Sequence, residues 1–192
     1  EMNQVLLIVY IFLMSGATLW LHASHYVNFD SKINVSEVSQ LAGAAKQARV
    51  VHILGEGCGC SKIVGNHLLS RGPRSGLQEL VIVIGRMPQF EIQLKEKGFV
   101  VSSEPLEQFR VEHPMVLGVP MFLVQLSDQS IRYSGGYADR MVAPGVKIHD
   151  EKIIDGVLAG GTEKELPTLG CHISKKYQSL LDPIGIKYGV NL

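Results

Sequence analysis

The apolar residues of this chain fall into short unbroken runs separated by stretches of helical spacing. Residues 50–54 (Val-Val-His-Ile-Leu) form one run and Leu80-Val81-Ile82-Val83-Ile84 another. An unbroken, largely β-branched run is what a strand covered on both faces requires. Between the two, the segment from Cys58 to about Arg71 carries Ile63, Val64, His67 and Leu68 on one helical face. Residues 88–97 suit a short helix stopped by Gly98, Phe99-Val100-Val101 a short strand, and Pro105 the first turn of a helix reaching about His113. Met121–Leu126 and Ile131–Ser134, joined by a turn at Ser127–Ser130, read as a β-hairpin. Asp150 opens a last helix of the domain, running to about Leu158. Near the start, Asn34 with Glu37 three residues on marks a helix whose face is Val35, Val38, Leu41 and Ala45. Alternating β and α units followed by a hairpin imply an α/β domain with a mixed central sheet and helices on both faces.

Two segments flank that domain. Residues 5–21, VLLIVYIFLMSGATLWL, are an uncharged apolar stretch of 17 residues, at the short end for spanning a bilayer. With Trp20 and Tyr26 as interfacial aromatics, they predict an N-terminal transmembrane helix and hence a membrane partner. The alternative is a signal peptide cleaved near Ser15-Gly16-Ala17. The expected organisation is a membrane anchor or signal segment over 1–22, a tether over 23–33, the α/β domain over 34–161 and an extension over 162–192. In the extension, Leu169, Ile173, Tyr177, Leu180 and Leu181 give an apolar face, and a short helix before Asp182-Pro183 is expected to dock on the domain. Lys plus Arg and Asp plus Glu number 18 each, and no basic run is interleaved with aromatics, which argues against nucleic acid as a partner. The sequence has no phosphate-binding loop and no serine-centred nucleophile motif.

Chemistry enters at Gly55-Glu56-Gly57-Cys58-Gly59-Cys60-Ser61-Lys62, where the first apolar run ends and a helix begins. Unpaired N–H groups at a helix N-terminus carry about half a positive charge, which favours a thiolate there. Cys58 holds that position, Lys62 adds a cation in the next turn, and Cys60 is the natural resolving partner. Residues two apart in a helix point about 200° away from each other, so the pair can close only if Cys58 lies at or before the cap. Such a small ring is readily reduced, as suits exchange more than a durable staple. Downstream, Pro120 opens the strand Met121–Leu126; a cis proline there presents the backbone of Val119 to an extended peptide. His52 and His67 fall on apolar faces and are expected to be satisfied core histidines, and Glu56 is a candidate proton acceptor beside the thiols.

The strand at 50–54, the cysteines opening the next helix, Pro120 before a hairpin and the closing helix together resemble the thioredoxin superfamily, over roughly residues 34–160. The resemblance implies a thioredoxin-like fold and thiol–disulfide oxidoreductase activity on protein or small thiols and disulfides, with no cofactor. Cys58 would attack, Cys60 resolve, and Val119 with Pro120 hold the substrate. With the apolar N-terminal stretch the chain is similar to membrane-tethered bacterial members, whose domain faces the periplasm from the inner membrane. It departs from the family in a one-residue spacer, Gly59, between the cysteines, and in Gly57 where an aromatic residue usually precedes the first. The odd third cysteine, Cys171, lies beside His172 in the extension. Folded back, it would serve as a third thiol, or with Cys58, Cys60 and His172 form a copper or zinc site of a metallochaperone.

Overall fold

The computed structural model describes residues 2–23 and 47–182, with the single positions 28, 33, 36, 38, 43 and 185. The core is a five-stranded sheet. Helix α1 spans Met2–Ala23, and β1 (Arg49–Gly55) is followed by α2 (Gly59–Arg71) and β2 (Gln78–Ile84). After these come α3 (Pro88–Glu96), β3 (Val100–Glu104), α4 (Leu106–Glu112) and the two-residue β4 (Gly118–Val119). The hairpin β5 (Met121–Gln125) and β6 (Ile131–Gly135), α5 (Asp150–Leu158), β7 (Cys171–His172) and α6 (Lys175–Leu181) complete the chain.

The sheet runs β3-β2-β1-β5-β6. β1, β2 and β3 are parallel, joined by helical crossovers, whereas β5 pairs antiparallel with both β1 and β6. Every residue of β1 and β5 is buried, as is β2 beyond its first. Because side chains alternate across a strand, burial at every position means that both faces are covered. The apolar runs at 50–54 and 80–84 are therefore the two central parallel strands, as their pattern demanded. The architecture is α/β with a mixed central sheet and helices, consistent with a thioredoxin-like fold.

Among the described residues, no helix is long and apolar enough to cross a membrane, which corrects the transmembrane anchor expected over 5–21. Within α1, Ser15, Gly16 and Thr18 follow the apolar run, and the Thr18 hydroxyl donates back to the carbonyl of Met14 at 2.8 Å. The helix expected from Asn34 lies largely outside the described residues; Ser36 and Val38 are helical, and Val38 is fully buried.

Candidate active site

Strand β1 delivers the chain from the middle of the sheet to the N-terminus of α2, and a tight turn makes the connection. Gly57 adopts a positive φ of 69°, a conformation glycine takes without steric cost. Cys58 is the N-cap of α2, with extended backbone angles, and its carbonyl accepts the first helical bond from the Lys62 N–H at 3.0 Å. The cap therefore lies outside the helix, the condition on which a Cys58–Cys60 pair depends. Cys60 is buried within the first turn. Ser61, also buried, uses its hydroxyl to accept the Gly55 N–H at 3.0 Å, fixing the turn from the helix side.

From the other flank comes the connection into β5. The Val119–Pro120 peptide bond is cis. The Cys58 thiol donates to the carbonyl oxygen of Val119, with sulfur and oxygen 3.8 Å apart. Val119 is buried, and its side chain packs so closely on β1 that a Cβ added at Gly55 would lie 2.8 Å from Val119 Cγ2. Cysteine cap and proline loop thus meet at the end of the two antiparallel partners β1 and β5.

The third thiol is brought to the same place. β7 pairs antiparallel with β4, setting Cys171 opposite Val119 and His172 opposite Gly118. The Cys58 thiol is held well below the ordinary thiol range, first by the hydrogen bond with Cys171 and then by that with Cys60. Burial opposes this and Ser61 assists it. A sulfur so stabilised as thiolate is the reactive form in exchange. None of the three cysteines is in a disulfide. Cys58 itself is 4% exposed, while Cys171 is only partly buried.

Two hollows of about 420 Å³ each meet at Gly57. One is lined by Cys58, Gly59, Lys62, Met87 and Phe90 and is largely apolar. The other runs past Glu56, Gly85, Val119, Cys171 and Arg110. Glu56, considered above as a proton acceptor, accepts the backbone N–H of Arg86 at 2.9 Å and folds against Gly85.

The donors named for the copper or zinc alternative do not gather into a three-donor cluster among the described residues. No three donors among Cys58, Cys60, Cys171 and His172 come within 4.8 Å of one another; among the described residues, Glu104, Glu112 and His113 do. Neighbouring residues of a strand point to opposite faces, so Cys171 and His172 cannot both turn toward Cys58. His172 instead is buried and stacks on Tyr177, ring centres 6.4 Å apart.

A second polar cluster, hidden within the domain, escaped the sequence almost entirely. His52, in mid-β1, bonds the Glu79 carboxylate through Nε2 at 2.9 Å and the Tyr137 hydroxyl through Nδ1 at 2.8 Å. Arg71, at the end of α2, reaches Glu79 at 2.6 Å and Asp150 at 3.0 Å, and His67 bonds Asp150 at 2.9 Å. Both histidines are satisfied structural residues. Burial pushes the Glu79 carboxyl up, but hydrogen bonds from His52 and Arg71 outweigh it and bring it down to about 2.

No family model matches the chain, and no curated protein matches it. Solved structures do. A hypothetical protein from Sinorhizobium meliloti is similar at 16% identity with a TM-score of 0.53, the match covering 77% of this chain and 89% of that one. An uncharacterised conserved protein from Geobacillus kaustophilus aligns at 20% identity over 68% of this chain and 78% of its own, TM-score 0.48. A secreted Mycobacterium tuberculosis disulfide oxidoreductase aligns at 12% identity over 62% of this chain and 85% of its own, TM-score 0.40. The first of these is a likeness of fold.

Proposed function

We propose that the protein is a thiol–disulfide oxidoreductase in which Cys58 is the nucleophile and Cys60 a resolving thiol. The observation that carries this reading is the position of Cys58, at a helix cap with its sulfur 3.8 Å from the carbonyl of Val119, the residue before cis-Pro120. In the forward step the Cys58 thiolate attacks one sulfur of a substrate disulfide. A mixed disulfide forms, and the other substrate sulfur leaves with the electron pair and takes a proton. Cys60, deprotonated, then attacks Cys58 and releases the second substrate thiol, leaving a Cys58–Cys60 disulfide; the protein dithiol is oxidised and the substrate reduced. Reversal of the same steps oxidises a substrate dithiol. The apolar hollow lined by Met87 and Phe90 suits a peptide segment with an apolar side chain next to its cysteine. The setting we propose is the bacterial periplasm, where cysteine pairs cycle between thiol and disulfide.

The test uses the Cys60→Ser/Cys171→Ser double variant, in which Cys58 is the only cysteine left of three. Incubated with glutathione disulfide or a peptide disulfide, it should accumulate a stable one-to-one mixed disulfide, read as a mass shift that dithiothreitol reverses. Cys58→Ser should trap nothing. Absence of an adduct on the double variant would show that exchange is the wrong chemistry.

A further inference from the structure

The edge of the proline loop that would receive an extended substrate is already filled. We infer that the C-terminal segment is a built-in substrate strand: Gly170–His172 occupies the backbone edge at Val119, and Cys171 is the intramolecular thiol that exchanges with Cys58. The inference rests on Cys58 being the exchange nucleophile.

Three observations carry it. First, β7 is paired to β4 in register, Cys171 opposite Val119, and the bond from the Ile173 N–H to the Leu117 carbonyl at 2.9 Å extends the ladder. An added antiparallel strand is how many proteins recognise extended peptides, with backbone bonds for affinity and one side chain for specificity. Here that side chain is a cysteine, next to the sulfur it would attack.

Second, the fit is close at one glycine. A Cβ at Gly170 would lie 2.2 Å from the carbonyl oxygen of Val119 and 3.0 Å from Pro120 Cδ. No larger residue can bring the strand this near the proline loop. The segment is also clamped from behind: Arg110 donates to the Ile173 carbonyl at 2.6 Å and Gln178 to the His172 carbonyl at 2.7 Å.

Third, the thiols are ordered. Cys58 hydrogen-bonds with both Cys171 and Cys60, yet the three sulfurs do not all fall within 4.8 Å of one another, so Cys58 stands between the other two. Cys60 closes off one side within the helix, while Cys171 lines the second hollow.

The exchange step balances without an outside reagent. In the Cys58–Cys60 disulfide left by turnover, the Cys171 thiolate attacks the sulfur of Cys58. The Cys58–Cys171 bond forms, the Cys58–Cys60 bond breaks, and the electron pair leaves on the Cys60 sulfur, which takes the proton that Cys171 gave up. One disulfide and one thiol precede the step and follow it. Its effect is to move the oxidised bond from the buried helix pair to a strand that borders an open groove, and to lock that strand over the substrate edge. While the strand is docked, a protein substrate must displace it.

The experiment equilibrates the full chain in glutathione and glutathione disulfide, alkylates it, digests it without reduction and maps disulfides by mass spectrometry. A neighbouring thiol on a short path acts at an effective concentration of mM or more, so at ~0.1 mM glutathione it should win. In Cys60→Ser, a Cys58–Cys171 peptide pair should therefore be the dominant oxidised form. Glutathione on Cys58 as the only oxidised form of that variant would overturn the inference and leave Cys58 as nucleophile intact. Failure of Cys58 to take up glutathione even in Cys60→Ser/Cys171→Ser would overturn both. Gly170→Ala tests the strand without touching a thiol. By lifting two or three backbone bonds it should speed adduct formation at Cys58 with a peptide disulfide about tenfold and diminish the Cys58–Cys171 pair. An unchanged rate, with an unchanged Cys58–Cys171 yield, would show that the strand does not guard the site.

Discussion

Two clusters of buried polar side chains lie along the same strand, and they are built on opposite principles. Around His52 every charge has a partner of opposite sign: Arg71 meets Glu79 and Asp150, His67 meets Asp150, and His52 bridges Glu79 to Tyr137. At the end of β1 the thiols have chiefly one another, on a cap with a glycine turn and two hollows alongside. The first cluster is closed and fixes the packing of α2 and α5 on the sheet. The second is poised, because a thiol can trade one sulfur partner for another while an ion pair in a dry interior can only be broken.

Breaking each cluster should therefore give different kinds of loss. The largest effect expected is on chemistry: Cys58→Ser should reduce disulfide exchange to background, while its urea midpoint shifts by no more than ~1 kcal/mol of stability, since one small buried side chain replaces another. Parallel measurement of peptide-disulfide reduction and urea unfolding checks both halves.

Next comes Glu79→Ala, which leaves Arg71 and His52 without their shared carboxylate. It should cost about 3–5 kcal/mol in urea unfolding, the penalty of an uncompensated buried charge, and leave the thiol reactivity of the surviving folded protein unchanged. Acid should imitate this more gradually. Because the folded Glu79 carboxyl lies down at about 2, below its ordinary value near 4.5, the stability it contributes is present above pH ~4.5 and is lost as the pH falls through about 2. Asp150, which burial raises but His67 and Arg71 lower further, adds to the same loss. Unfolding free energies measured at stepped pH should decline across that window, and Glu79→Gln should flatten the decline.

The smallest effect sharpens the contact between strand and proline loop. Gly55→Ala would place a methyl 2.8 Å from Val119 Cγ2, and the crowding should cost about 1–3 kcal/mol. By moving away the Val119 carbonyl, which accepts from the protonated Cys58 thiol, it should also lower the thiol's titration midpoint, measured by the pH dependence of iodoacetamide alkylation.

The sequence carried the sheet and one half of the site. Short β-branched runs bounded by turn residues favour strands covered on both sides, and a glycine turn before Cys58 with helical spacing after it points to a thiol at a helix cap, since these signals act over a few residues. The hairpin over 121–135 was legible for the same reason. That His52 is a core residue was legible too, whereas His67 is satisfied but only partly buried, and the partners of neither were legible. Glu79, Arg71 and Asp150 are scattered along the chain, and nothing local distinguishes a carboxylate that will be buried from one that will be solvated. Nor does any local pattern mark Glu104, Glu112 and His113 as neighbours.

The extension divides in the same way. Its short helix before Asp182 followed from the spacing of apolar residues, and Ile173 is buried as expected, although Leu180 is 69% exposed. Its docking strand is two residues long, too short to show any alternation, so its place beside Val119 was invisible in the sequence. The sequence by itself determined which segments form the sheet and that a cysteine caps the helix after β1, because local sterics and hydrophobic period act over a few residues. Which side chains meet across the chain was decided only by the tertiary structure. Cys171 reaches Cys58 because backbone pairing at Val119 sets its register, and hydrogen bonds between distant segments leave no trace in the residues that make them.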